Sequence, residues 1–206
     1  MRKLCLAVVT CLCFVLLAQA ATPELSPADR ESALKYLEST RQGVLDATKG
    51  LSAKQWNFKS APDRWSIAEV VEHIAAAEDF LFTNVTDKVM KAPARTGNDD
   101  VKAIDQLVLT KVPDRSHKAQ APEPLKPTNR FGSPEASLKH FGESRERTEE
   151  YLKNTADLRA HAAPASESPF GKQMDAYEWI LFIAAHSDRH TKQILEVKAD
   201  SNFPKN

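Results

Sequence analysis

Hydrophobic residues recur at helical spacing along four long stretches of this chain, and no other feature limits the fold as strongly. The last stretch is apolar nearly all round in its first half, so we expect it to be the most buried helix. Helices with apolar faces of this kind bury them against one another. The sequence therefore predicts an all-α fold, a four-helix bundle, with helices over about Ser26–Gly50, Ser66–Met90, Ser133–Asn154 and Met174–Val197.

The residues at three of the predicted helix starts favour helix initiation. Ser26 and Ser133 are N-cap residues, and each is followed by a proline, which suits the first helical position. Ser66 is followed three residues later by Glu69, the spacing of a capping box. We therefore assign Glu69 first to helix capping. It also lies one helical turn before His73, on the same helix face, and is for that reason a candidate for a substrate pocket.

Two surface assignments follow from the same helical periodicity. The first helix is expected to turn four apolar residues inward, namely Leu34, Leu37, Val44 and Leu45. The third helix carries the run E-S-R-E-R-T-E-E at 143–150, which we interpret as a solvated face with ion pairs four residues apart.

The connections between the helices differ in character. The first is aromatic, with Trp56, Phe58 and Trp65, and is expected to fold over one end of the bundle. The second, from Lys91 to Gly132, contains five prolines and is long enough to be a crossover. Within it, Asp99–Lys111 is predicted to form a short helix. A crossover of this length means that the second and third helices need not be antiparallel neighbours.

Residues 1–20 have the pattern of a cleavable signal peptide. Arg2 and Lys3 precede an apolar run from Leu4 to Leu17, and Ala18-Gln19-Ala20 is a typical cleavage signal. The alternative, a membrane anchor, is disfavoured because the run is short and no stop-transfer pattern follows. We therefore expect an exported protein, periplasmic or secreted, with residues 21–206 as its one domain and no stable membrane anchor after cleavage.

Cleavage would also remove every cysteine of the chain, Cys5, Cys11 and Cys13. Any metal site in residues 21–206 must then use His, Asp or Glu, and neither a disulfide nor a thiolate nucleophile is available. The whole chain has 28 basic and 28 acidic residues, which argues against nucleic acid as a partner. The expected partner is a small-molecule substrate or ligand, and pairing of two copies as a homodimer is left open.

Three of the six histidines lie on strongly apolar helices. His186 and His190 are four residues apart and therefore share a helix face, and His73 lies on the second predicted helix. Three imidazoles that converge between helices would hold a divalent metal and leave coordination positions open. The spacing alone also fits hydrogen-bonded core histidines. The glutamate that follows the first histidine of a zinc protease motif is absent, because Ser187 stands there.

Two motifs taken together resemble those of the DinB/YfiT-like superfamily. They are W-S-I-A-E-V-V-E-H-I at 65–74 and H-S-D-R-H-T-K-Q-I at 186–194, accompanied by A-P-D-R-W at 61–65 and the proline-rich crossover. The resemblance covers nearly all of residues 21–206 and implies a bundle of up-down-down-up topology. It also implies a divalent metal, Zn or Ni, on His73, His186 and His190.

The resemblance implies a metal-dependent hydrolase or a thiol-dependent S-transferase. Low-molecular-weight thiols are mainly cytosolic, so the predicted export favours the hydrolase. The third hypothesis is a bundle that binds a metal or ligand without catalysis. Trp179 and Phe182 precede His186 by one to two turns and are candidates for the pocket wall. Arg189 is expected to pair with a carboxylate such as Glu72, with an anion-anchoring role as the alternative.

Overall fold

The computed structural model describes residues 24–96 and 100–205, so the predicted signal peptide lies outside the described residues. Two two-residue strands, β1 (Ala162–Ala163) and β2 (Met174–Asp175), pair antiparallel. A π-helical turn (Asn84–Lys88) and a 3-10 turn (Val89–Lys91) continue the third helix, and further 3-10 turns lie at Glu123–Leu125 and Ala165–Glu167. The α-helices are α1 (Pro27–Thr48), α2 (Ala53–Trp56), α3 (Ile67–Thr83), α4 (Val101–Lys111), α5 (Pro134–Asn154) and α6 (Ala176–Lys198).

The long helices begin where their capping residues predict. The Ser26 and Ser133 hydroxyls accept backbone N–H groups at the starts of α1 and α5. Ser66 and Glu69 form the predicted capping box of α3. Asp175 and Glu178 form a second capping box at the start of α6, so this helix begins two residues later than the sequence periodicity indicates. Local side-chain chemistry therefore fixes the helix starts.

The four long helices form a bundle of up-down-down-up topology, as predicted. Side-chain contacts give the directions: Asp79 of α3 contacts His140, and Phe82, one turn later, contacts Tyr151 further along α5. These two consecutive helices therefore run parallel. Helices α1 and α6 are likewise parallel, because contacts join their N-terminal parts and also their C-terminal parts.

The crossover between α3 and α5 carries the chain back along the bundle. Its short helix α4 is confirmed, with Asp100 as N-cap, whereas Asp99 lies outside the described residues. Arg159, 2% exposed, fastens this helix by contacting Asp105 at 2.6 Å and Asp175 at 3.0 Å. In the ranges that the structure describes, no helix combines the length and apolar character that a membrane span requires.

The core consists of two apolar clusters with a buried polar layer between them. Arg145 of α5, fully buried, lies at the centre of this layer. Its guanidinium contacts Glu78 of α3, Thr40 of α1 (2.8 Å) and Ser187 of α6 (2.9 Å). One buried arginine therefore joins all four long helices.

Two of the surface predictions are wrong in part. The run 143–150 is not wholly solvated, because Ser144, Arg145 and Thr148 are buried. Their spacing from Phe141 places them on the inward stripe of α5, so periodicity could have flagged them. In α1, Leu37 and Val44 are buried as predicted. Leu45 is 36% exposed because it lies one position beyond the inward face of α1 that Leu37 and Val44 define.

Candidate metal centre

Helices α3 and α6 bring His73, His186 and His190 together. His186 and His190 project from the same face of α6, and their Nε2 atoms are 3.1 Å apart. His73 faces them from α3, with its Nε2 atom 3.2 Å from that of His186. One ligand atom from each of the three rings lies within 4.8 Å of the other two. The sequence-predicted trio therefore forms one cluster, although metal binding by it stays a prediction.

Hydrogen bonds fix the orientation of two of the rings. His73 Nδ1 lies 2.8 Å from the Leu125 carbonyl oxygen, and His190 Nδ1 lies 2.8 Å from Gln193 Oε1. Because both oxygens only accept hydrogen bonds, each Nδ1 must carry the proton. In a neutral imidazole the Nε2 lone pair is then free, and in both rings it is directed at the cluster. Nitrogen donors arranged in this way fit a divalent metal ion.

The surroundings keep the three imidazoles neutral. Burial lowers the pKa of His186 and His190 well below the usual value of a histidine, and the neighbouring imidazoles lower it further. Burial also lowers the pKa of His73, partly offset by its hydrogen bond to Leu125. Neutral imidazole is the form that binds a metal ion, so the cluster does not have to release protons first.

Residues outside the cluster hold these hydrogen-bond acceptors in place. The Glu72 carboxylate accepts the backbone N–H groups of Thr128, Asn129 and Arg130, which fixes the crossover segment that contains Leu125. Arg115, on the same crossover, donates to Glu196 at 2.6 Å and lies 3.4 Å from Gln193 Oε1. The crossover therefore supports the cluster from two sides.

Sequence reasoning missed these supporting residues. Gln193 lies three positions after His190, within reach of its ring on the helix surface, and this spacing could have indicated it. The role of Leu125 belongs to its backbone carbonyl and leaves no trace in residue type.

The predicted pairing of Arg189 with Glu72 is wrong. Arg189 donates instead to backbone carbonyls of the crossover, those of Val112, Asp114 and His117. Glu72 is occupied by the backbone N–H groups on the other side of the cluster. A proline-rich segment has fewer backbone N–H groups with which to pair its own carbonyls, and an arginine, with its several donors, satisfies three of them here.

The remaining pocket candidates lie at different distances from the histidines. Phe182 stacks beside His186 with ring centroids 6.5 Å apart, and Trp179 contacts Phe182 at 5.4 Å but is buried in the core. Glu69 accepts the Ser66 backbone N–H at 2.7 Å and pairs with Lys59 at 2.7 Å, so it caps α3. Of these three candidates, Phe182 lies next to the cluster. Trp65 of the aromatic connection also borders it, with its ring centroid 4.9 Å from that of His73.

Comparison with known proteins identifies the family and the fold of this chain. The family profile of the DinB superfamily matches residues 23–194. The chain belongs to the DinB superfamily. The uncharacterised protein YuaE of Bacillus subtilis (strain 168) is 27% identical over 173 residues, which cover 80% of this chain and 96% of YuaE. The DinB resemblance predicted from the two sequence motifs is thus confirmed.

A solved structure shows the same fold. YfiT from Bacillus subtilis matches with a TM-score of 0.52 at 16% identity, covering 87% of this chain and 91% of YfiT. That protein is described as "a probable metal-dependent hydrolase with an unusual four-helix bundle topology". At this identity the likeness establishes the fold of the DinB-superfamily chain, and the predicted four-helix bundle is confirmed.

Proposed function

We propose that this DinB-superfamily protein binds a divalent metal ion, Zn²⁺ or Ni²⁺, on His73, His186 and His190 and hydrolyses a small molecule. The observation that carries the proposal is the convergence of three Nε2 atoms, two of them in rings, those of His73 and His190, whose Nδ1 atoms donate to oxygens outside the cluster. Imidazole donors suit both ions. The description of YfiT as a probable metal-dependent hydrolase supports the reaction class.

The protein's own residues supply orientation and shielding. His73, His186 and His190 would hold the ion, which would supply Lewis-acid chemistry by lowering the pKa of a water molecule toward neutrality and polarising a carbonyl oxygen. His73 and His190 are buried, whereas His186 is half-buried, so access is on the His186 side. Phe182 provides an apolar wall on that side. A small ester or amide with an apolar group next to its carbonyl fits this arrangement.

A metal-binding bundle without catalysis is the second candidate, and one observation favours it. Among the described residues, the cluster contains three imidazoles and no carboxylate. The nearby acids of α3 are already engaged: Glu69 caps the helix, Glu72 holds the crossover and Glu78 pairs with Arg145. No side chain of this set is therefore free to accept a proton from a reacting group.

Metal analysis tests the site itself. We expect about one Zn²⁺ or Ni²⁺ per chain in the purified protein and in the control variant His117→Ala, which removes an exposed histidine of the crossover. His73→Ala and His190→Ala should lose the metal on dialysis against a chelator, with unfolding temperatures recorded to show that both variants fold. Unchanged metal content in both would refute the site.

Turnover by the metal-loaded protein separates the candidate functions. Hydrolysis of members of an ester and amide panel, lost in His190→Ala, would support the hydrolase. Transfer to an electrophile that requires an added low-molecular-weight thiol would support the S-transferase instead. Bound metal with no turnover in either panel would support the binding module.

We propose, in addition, that the protein is exported and that residues 1–20 are removed. The basic start, the apolar run and Ala18-Gln19-Ala20 support this. Mass spectrometry of protein recovered outside the cytosol should find Ala21 at the N-terminus. A chain that stays in the cytosol with residues 1–20 attached would contradict the proposal.

A further inference from the structure

A cavity of about 440 Å³ lies between α3, the π-helical turn and crossover residues 124–131. None of the three histidines lines it, although Leu125 belongs to both places: its carbonyl accepts His73 Nδ1–H, and its side chain borders the cavity. The cavity is therefore next to the histidine cluster but distinct from it. Its volume is in the range of small-molecule sites.

The cavity has an apolar wall. Phe80 of α3 is 48% exposed there, and its ring borders the cavity beside the other apolar lining residues. Phe131 and Leu125 face it from the crossover, with Ala76 and Pro124 completing the apolar lining. An apolar body of about the size of one aromatic ring would cover Phe80 and fill this side.

Two polar groups of the cavity are donors without a partner among the described residues. The Asn84 side-chain amide nitrogen has no hydrogen-bond partner and is shielded from solvent, so a ligand in the cavity reaches it once the side chain rotates. The Lys88 ammonium forms no ion pair with any described residue, and the Arg130 guanidinium also borders the cavity. Asp79, the one acid in the lining, already accepts from His140 (2.6 Å), Ser144 (2.7 Å) and Arg147 (2.6 Å). The group still missing is therefore an acceptor, and an anionic one matches Lys88 best.

The backbone segment that carries these two donors departs from regular α-helix. Asn84 and Lys88 are the first and last residues of the π-helical turn that follows α3. Single π turns within helices are frequently found at functional sites. The turn thus places both donors beside the apolar wall.

We propose that this cavity is a second binding site, for a small carboxylate with an apolar body of about one aromatic ring. The carboxylate pairs with Lys88 and accepts from the Asn84 amide after that side chain rotates toward the cavity, and the ring contacts Phe80 and Phe131. The site does not require the proposed hydrolase activity, because no atom of the histidine cluster takes part.

Binding of three matched probes tests the chemistry. Isothermal titration calorimetry with ZnCl2 present would compare 3-phenylpropionate, 3-phenylpropanamide and 3-phenylpropylamine, which share one apolar body. We expect the carboxylate to bind about ten-fold more tightly than the amine, since a hydrogen bond to a charged group contributes at least this much. Equal affinities, or no detectable binding of any probe at millimolar concentration, would overturn the proposal.

Variants test whether the probe binds in this cavity rather than at the histidine cluster. Asn84→Leu and Lys88→Met should each weaken 3-phenylpropionate binding about ten-fold, whereas Lys91→Met, which removes an exposed lysine one turn later, should not. Circular dichroism confirms that each variant is folded. His190→Ala should retain probe binding. Loss of binding in His190→Ala, with retention in Asn84→Leu and Lys88→Met, would place the carboxylate on the metal centre and overturn the second site.

Discussion

Two hydrogen-bond acceptors determine the orientation of two histidine rings: the Gln193 side chain orients His190, and the Leu125 backbone carbonyl orients His73. His73 and His190 each donate Nδ1–H to an oxygen, which leaves Nε2 available and pointed at the cluster. Without such acceptors an imidazole would rotate, or bind its proton on the other nitrogen. The Leu125 carbonyl cannot be removed by a side-chain substitution, but Gln193 can be replaced. The contribution of ring orientation is therefore measurable at His190.

We predict that Gln193→Leu weakens metal binding about 10- to 100-fold, because His190 loses the acceptor that fixes its ring. Gln193→Glu keeps an acceptor at the same position and should retain the affinity. Competition with a chromophoric chelator measures both. Equal affinity in the Gln193→Leu variant and the unsubstituted protein would show that helix packing alone orients His190.

The helices were predictable from the sequence where a capping residue at the helix start marks them. Ser26, Ser66 and Ser133 start helices through their own hydroxyls, and Asp100 starts the short crossover helix. The π-helical turn after Thr83 had no such signal, because Asn84–Lys88 contains no glycine or proline.

The partners of charged side chains were not predictable, because they depend on which helices are neighbours. The positions of Arg189 and Glu72 on their helices were compatible with an ion pair between them. In the structure, each instead binds backbone groups of the crossover. Arg145 is surrounded by charged residues in the sequence but lies on the inward stripe of α5. Its position could be read from its spacing to Phe141, whereas its partner Glu78 required the fold.

We predict that Arg189→Met loosens the crossover without melting the helices. The substitution keeps the apolar stem but removes the donors to the carbonyls of Val112, Asp114 and His117. Trypsin should cleave after Lys111, Arg115 or Lys118 at least about five-fold faster, since about 1 kcal/mol shifts a local opening equilibrium by that factor. Lys35→Met, on the exposed face of α1, is the control. Equal cleavage rates in all three proteins would mean that other contacts hold the crossover.

At the scale of the whole molecule, the buried polar layer divides the core and ties the bundle together. Each long helix contributes to it through Thr40, Glu78, Arg145 or Ser187. Ser187 directly follows His186, so the contact that fixes Ser187 also fixes the rotation of α6 that aims the imidazoles. Apolar side chains could pack at several rotations, but a buried guanidinium is satisfied at one. The layer therefore links the fold to the geometry of the metal centre.

The polar layer can be tested by removing the ion pair in two steps. Glu78→Leu alone should lower the free energy of unfolding by about 3–5 kcal/mol, because it leaves the buried Arg145 charge unpaired. Glu78→Leu with Arg145→Met should recover most of that loss, because two apolar side chains then replace the pair. Urea unfolding followed by circular dichroism measures both, with Arg41→Met, which removes surface ion pairs to Glu38 and Glu146, as a control expected to change stability by less than about 1 kcal/mol.

The double variant also tests the link to function. If the layer sets the rotation of α6, the double variant should bind metal more weakly than the unsubstituted protein although its stability has returned. Stability and metal affinity would then separate, which a purely stabilising ion pair does not predict. Full metal affinity in the stable double variant would show that the apolar clusters alone position His186, and the polar layer would have no part in the metal centre.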